Sequence, residues 1–228
     1  MHGKRLYHFL RAEHALLNVE HRQLKVSRID QLNDPFEFLA VDLSDPGLRW
    51  LMTKGREQQV DIEGIVCFCD NWRTPVMWAY YADCYAGICL GFDVNAPDES
   101  LVPMKYVPDR LKPPARQYDA AKREEWQSLF AEMMAIKFDH WRYEGEYRLH
   151  VALDTPDSAL LDPLGRPLYF VDFAPHMTLR EVIVGYRSAT TKAAVKAALG
   201  PLAASVDVFR SRPSNRDFSI VRDKKPWK

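Results

Sequence analysis

The sequence predicts an α+β domain, with a mixed, largely antiparallel sheet of six to eight strands flanked by helices. Three stretches carry that expectation. Residues 64–70 (GIVCFCD) form a continuous apolar run of strand length, the pattern of a strand central in a sheet. Residues 141–151 (WRYEGEYRLHV) alternate and are rich in aromatic and β-branched types, as in a half-buried strand. Residues 120–138 place Trp126, Leu129, Phe130, Met133, Met134 and Lys137 along one helical stripe, with Lys137 its odd member.

The remaining elements follow in order. Residues 5–10 (RLYHFL) predict a first strand, with Leu6 and His8 on one side and Tyr7 and Phe9 on the other. A helix over 13–23 and a strand over 24–27 come next. Asn33-Asp34-Pro35-Phe36-Glu37 is a turn, since Asn and Asp bond local backbone and Pro fixes the next φ. Residues 42–62 are polar and helical. Thr74 caps a helix that Pro75 opens, and its body, 76–82 (VMWAYYA), is apolar all round and expected to be buried. Residues 87–94 (GICLGFDV) make another strand. Residues 95–118 hold five of the fifteen prolines and are expected to be a loop or flap. After a loop at 153–163, strands are predicted at 167–173, 181–185 and 206–210, with a helix at 190–199 ended by Gly200-Pro201. The basic stretch 211–228 is expected to be a solvated tail. No repeat or long linker divides the chain, so residues 1–228 are expected to form one domain.

Lys plus Arg and Asp plus Glu are 31 each, so overall charge makes no case for a nucleic-acid or membrane partner. No apolar leader follows His2–Arg5, and no window approaches the ~20 apolar residues of a membrane span. A cytoplasmic protein is expected. The four cysteines fit reduced thiols there, and C-x-C with C-x4-C is not a usual zinc spacing, so they are expected to be small buried residues. No glycine-rich phosphate loop occurs, which disfavours Rossmann and P-loop nucleotide binding.

The chemistry concentrates in residues 141–151. On a period of two, Glu144, Glu146, Arg148 and His150 share one face, and Tyr143, Tyr147, Leu149 and Val151 the other. The two carboxylates are then about 6–7 Å apart at ~3.3 Å per residue. Like charges that close raise one carboxyl pKa, while the neighbouring arginine holds the other ionised. Two identical groups can thereby take acid and base roles. The plain alternative is a solvated strand face of alternating charge. Lys137 is expected either to reach the solvent edge or to turn its ammonium toward Glu144 or Glu146. The Asn33–Phe36 turn is expected beside the same strand, because polar-aromatic strings are seldom spent on bare loops.

The strings LYHF, NDPFE, IVCF, MWAYYA, GICLGFD, Lys137-x3-W-x2-E-x-E-x-R and VIVG resemble a bacterial family known as domain of unknown function 2971, from Leu6 to about Val208. Tyr80 stands where that family's M-W-x-x-Y string is expected to carry His. More distantly, His8 on a first strand, Tyr81 on a later helix and Glu146 in E-x-E resemble the order found in ADP-ribosyltransferase-like domains. That resemblance implies an ADP-ribosyltransferase-like fold, with NAD as substrate, and a toxin or defence component. It implies a cation-stabilising Glu146, Glu144 deprotonating an acceptor, Tyr81 stacking on nicotinamide and His8 bonding a ribose. Arg148, Asn33 and Asp34 are expected to complete the nucleotide site; the acceptor, protein or nucleic acid, is unassigned.

Two other classes compete. Asp34, Glu37, Glu144 and Glu146 together could hold Mg²⁺ for phosphodiester cleavage. Such nucleases usually place Lys after the acidic pair, where this chain has Arg148, and no basic face accompanies it. A non-catalytic ligand-sensing or partner-binding domain would instead pair both glutamates with Arg148.

Overall fold

Strand β3 (Glu63–Cys69) lies at the centre of an eleven-stranded sheet, where its apolar run is covered on both faces. The computed structural model describes residues 3–97, 100–113, 132–154 and 156–227. Along one edge of β3 runs β8 (Glu146–Ala152), antiparallel from Glu63 opposite Ala152 to Cys69 opposite Glu146. The other edge is shared. Strand β1 (Lys4–Leu10) meets β3 at Cys69 alone, opposite Tyr7. Strand β2 (Gln23–Arg28) meets it only at Ile65 and Gly64. Between those contacts β1 and β2 part, and the edge of β3 around Cys67 opens into a notch.

Beyond β1 the sheet continues through β4 (Ile88–Val94), β11 (Met177–Val184), β12 (Asp207–Pro213) and β13 (Ile220–Arg222). Beyond β2 come β10 (Pro167–Asp172) and β9 (Asp157–Leu161), while β5 (Leu101–Pro103) borders β8. Among the described residues, only β11 and β12 pair in parallel within this sheet. A separate parallel pair joins β6 (Lys105–Val107) to β7 (Ile136–Phe138).

Alternation along β4 divides the core. Ile88, Leu90, Phe92 and Val94 face α1 (Ala12–His21) and α4 (Lys192–Leu199), which supply Ala15, Val19, Val195 and Leu199. Cys89 faces the other way, with Phe9, Cys69 and Phe209, under Met77 and Trp78 of α3 (Pro75–Tyr81). The Trp78 indole is fully buried, meets the Phe9 ring edge-on at 5.2 Å and donates to the Trp72 carbonyl at 2.6 Å. A smaller cluster joins Met52 of α2 (Pro46–Gln59) to Val41, Met133 and Ile136.

The α+β class and the largely antiparallel sheet agree with the sequence, and several details are corrected. The sheet has more strands than expected because β5, β9 and β13 are short pieces of three to five residues with little periodicity to read. Residues 101–103 and 105–107, expected in a flap, are strands. The expected loop at 153–163 contains β9. The expected solvated tail instead extends β12 to Pro213 and adds β13, which buries Ile220. Helix α3 starts at Pro75 as expected but is not buried all round: Tyr80 is 73% exposed. Cys84 is exposed, unlike buried Cys69 and Cys89. Residues 132–134 are helical, yet 136–138 form β7, so Lys137 sits on a strand. Trp126, Leu129 and Phe130 of the predicted stripe lie outside the described residues. Finally, residues 141–151 are not one strand. A 3₁₀ turn spans Asp139–Glu144, and β8 starts at Glu146.

Candidate functional site

A cavity of about 250 Å³ occupies the notch between β1 and β2. His8, Gln31, Tyr81, Lys137, Glu144 and Glu146 are among its lining residues. They come from six separate elements, and a buried cluster of charge forms its floor.

Gly145 sets the two central glutamates. It holds φ +50°, and a Cβ there would lie 2.4 Å from Asp70 Oδ1. Only glycine turns the chain at that point without strain. Glu144 therefore arrives from the 3₁₀ turn and Glu146 from β8, rather than both from one strand face. Each is 5% exposed. They converge on the same ammonium: Lys137 Nζ lies 2.5 Å from Glu144 Oε2 and 2.9 Å from Glu146 Oε2. The expected turn of Lys137 toward this pair is what the structure has, although the residue reaches them from β7.

The Asn33–Glu37 turn brings the third carboxylate. Asp34 Oδ1 accepts from the Phe36 amide at 2.9 Å, which closes the turn as its sequence suggests. Glu37 then projects inward and receives Arg148 bidentately, at 2.8 and 2.6 Å. Its Oε1 is also 3.6 Å from Lys137 Nζ. Arg148 Nε donates to Glu146 Oε1 at 2.8 Å. Three glutamates thus surround two cations. Buried charge is tolerated only when paired in this way.

The pair divides its protons as the sequence suggests. Burial pushes the Glu146 carboxyl up, but Arg148 and Lys137 outweigh it and hold the group well below the ordinary range. Burial dominates at Glu144, which stays above that range despite Lys137 and the Tyr81 hydroxyl. Burial also opposes the charge of Lys137, yet Glu146, Glu144 and Glu37 more than restore it. The Tyr81 hydroxyl donates to Glu144 Oε1 and accepts from Asn33 Nδ2 at 2.7 Å. Burial next to Glu144 keeps it protonated.

His8 Nδ1 is 2.7 Å from the Cys67 carbonyl, a group that can only accept, so Nδ1 carries the proton. Burial lowers the His8 pKa, and the neutral ring leaves Nε2 as an acceptor. Tyr81, His8, Glu144, Glu146 and Asn33 are therefore brought together. Two predicted ligand-binding residues are not. Arg148 lies behind the glutamates, 1% exposed, with each of its three nitrogens bonded to a carboxylate. Asp34 lines a second cavity of about 270 Å³, across the turn, with Phe36, Arg110, Phe138 and the shared Lys137. His150, expected on the glutamate face, pairs with Glu63 at 3.0 Å instead.

Residues missed in the sequence include Gln31 and Tyr106. The Tyr106 hydroxyl accepts from the Glu146 amide at 2.8 Å, and burial raises its pKa to about 12. Nothing local flags either one, since Tyr106 sits among prolines and Gln31 in a polar turn. Among the described residues, no group of three or more His, Cys, Asp or Glu is arranged to hold a metal ion. Here an ammonium and a guanidinium stand between the carboxylates. No helix among the described residues is long and apolar enough to cross a membrane. No family model matches the chain, and no curated protein or solved structure matches it either.

Proposed function

We propose that this chain cleaves the nicotinamide–ribose bond of NAD and passes the ADP-ribosyl group to water or to an acceptor. One observation carries the reading: three glutamates share two cations at the floor of a cavity, leaving one negative charge in excess when all are ionised. Such a floor favours a cation developing above it. The reaction makes one, since the C1′–N bond breaks with its electron pair leaving on nicotinamide, and the ribose passes through an oxocarbenium-like state.

Glu146 is the stabilising group. Its Oε1 accepts one hydrogen bond, from Arg148, and keeps a lone pair for C1′ or a ribose hydroxyl. Glu144, with its raised proton affinity, removes the proton of the water or acceptor that attacks C1′. Tyr81 positions Glu144 and offers its ring to nicotinamide. His8 Nε2 accepts from a ribose hydroxyl. The resemblance of His8, Tyr81 and Glu146 to the ADP-ribosyltransferase-like order supports the same roles.

A second reading has its own observation: both Glu146 oxygens are already hydrogen-bonded, as in an inert scaffold under a binding pocket. Calorimetric titration with NAD and then Mg²⁺, followed by an assay for free nicotinamide, separates the readings. Binding of NAD with nicotinamide release is the expected result. Binding without release selects the ligand-sensing module, and binding of Mg²⁺ alone the nuclease.

A further inference from the structure

Resting on the reading of the cavity as an NAD site, we propose that it accepts the nicotinamide riboside half as a nucleoside, with Gln31 as a specificity-determining acceptor and the phosphates kept outside. The first argument is charge. Lys137 is the one cation among the described residues lining the cavity, and its ammonium faces Glu144, Glu146 and Glu37. Among the described lining residues no cationic donor is left over for a phosphate, and the neighbouring carboxylates repel one. A pyridinium nucleoside carries the opposite charge and suits the same floor.

The second argument is the orientation of Gln31. Its Nε2 is 3.0 Å from Asp162 Oδ2, and an ionised carboxylate only accepts, so the amide cannot be turned around. Asp162 is itself fixed by the Arg166 backbone and side chain, both at 2.9 Å, and Arg166 by Asp30 at 2.7 Å. This relay leaves Gln31 Oε1 buried and without a hydrogen-bond partner among the described residues. An acceptor in that state is costly until a donor reaches it. Gln31 and His8 both line the cavity, and on this proposal their two acceptors, Oε1 and Nε2, serve one ligand. Ribose hydroxyls and a primary carboxamide both present such donors; a phosphate does not. The volume of about 250 Å³ is also small for a dinucleotide beside the 300–1,000 Å³ usual for ligand pockets.

The test is calorimetry with nicotinamide riboside, nicotinamide mononucleotide and NAD, on the wild type and on Gln31→Leu. Expected is a riboside bound at least as tightly as its 5′-phosphate, and weakened about tenfold by Gln31→Leu. If the amide meets Oε1, nicotinic acid riboside binds weakly to the wild type and is insensitive to Gln31→Leu. If a hydroxyl does, the 2′-deoxy or 3′-deoxy riboside shows that pattern instead. A mononucleotide tenfold tighter than the riboside overturns the proposal while NAD cleavage stands, and so does a folded Gln31→Leu that binds every probe as the wild type does. Failure of all three probes to bind overturns both. The wild-type comparison decides even if Gln31→Leu does not fold.

Discussion

At Glu146 the catalytic and scaffolding roles make different demands on one substitution. Glu146→Gln preserves volume and leaves Glu37 on Arg148 and Glu144 on Lys137, so two carboxylates still balance two cations. The 3–5 kcal/mol typical of a stranded buried charge is therefore not expected, and thermal melts should place the loss nearer ~1–2 kcal/mol. Turnover should fall a few hundredfold, from ~3–4 kcal/mol of lost cation stabilisation. Tyr81→Phe acts one step away. The Tyr81 hydroxyl lowers the proton affinity of Glu144, so removing it raises that affinity further. A base works once deprotonated, and the rise of transfer rate with pH should shift to higher pH in Tyr81→Phe. An unmoved pH profile contradicts Glu144 as the base.

Among the elements, the short turn at Gly145 and strand β7 hold the site together. Gly145→Ala meets both a positive φ and the Asp70 carboxylate, and should destabilise by ~1–3 kcal/mol in denaturant titrations. It should also lower activity, since it displaces Glu144 from the shared ammonium. Lys137→Met leaves three glutamates with one guanidinium, and its cost should reach ~3–5 kcal/mol. The sequence already placed Glu144 and the Asn33–Phe36 turn near Glu146 and offered Lys137 there as one of two outcomes, because dense polar-aromatic strings and a lysine on an apolar stripe are local signals. It did not place them on the right elements. The alternation of residues 141–151 conceals the glycine turn, since a 3₁₀ turn and a strand both let Glu144 and Glu146 face inward. The helical stripe before Lys137 continues visibly into what is a three-residue strand.

Taken whole, the molecule makes its cavity by splitting one edge of β3 between two strands, a long-range pairing that leaves no pattern in β1 or β2 themselves. What was legible was the class, because apolar runs and alternation are local; what was not was the notch, because it depends on where strands part. The buried cluster should also shape stability against pH across the whole fold. Glu146 is held below its ordinary value of 4.5, down to about 2, so its contribution is present above 4.5 and lost as pH falls toward 2. Glu144 is shifted upward, so its contribution is present at low pH and lost as pH rises through the raised value. The melting temperature of Glu146→Gln should therefore fall less steeply with acid than that of the wild type. That of Glu144→Gln should fall less as pH rises from 4.5 to the raised value of Glu144.

The most direct measurement is nicotinamide release from NAD by the wild type and by Glu146→Gln, each with a thermal melt beside it. Expected is release by the wild type and a folded variant slower by a few hundredfold. A folded variant as fast as the wild type, or a wild type that releases nothing at saturating NAD, would contradict the account.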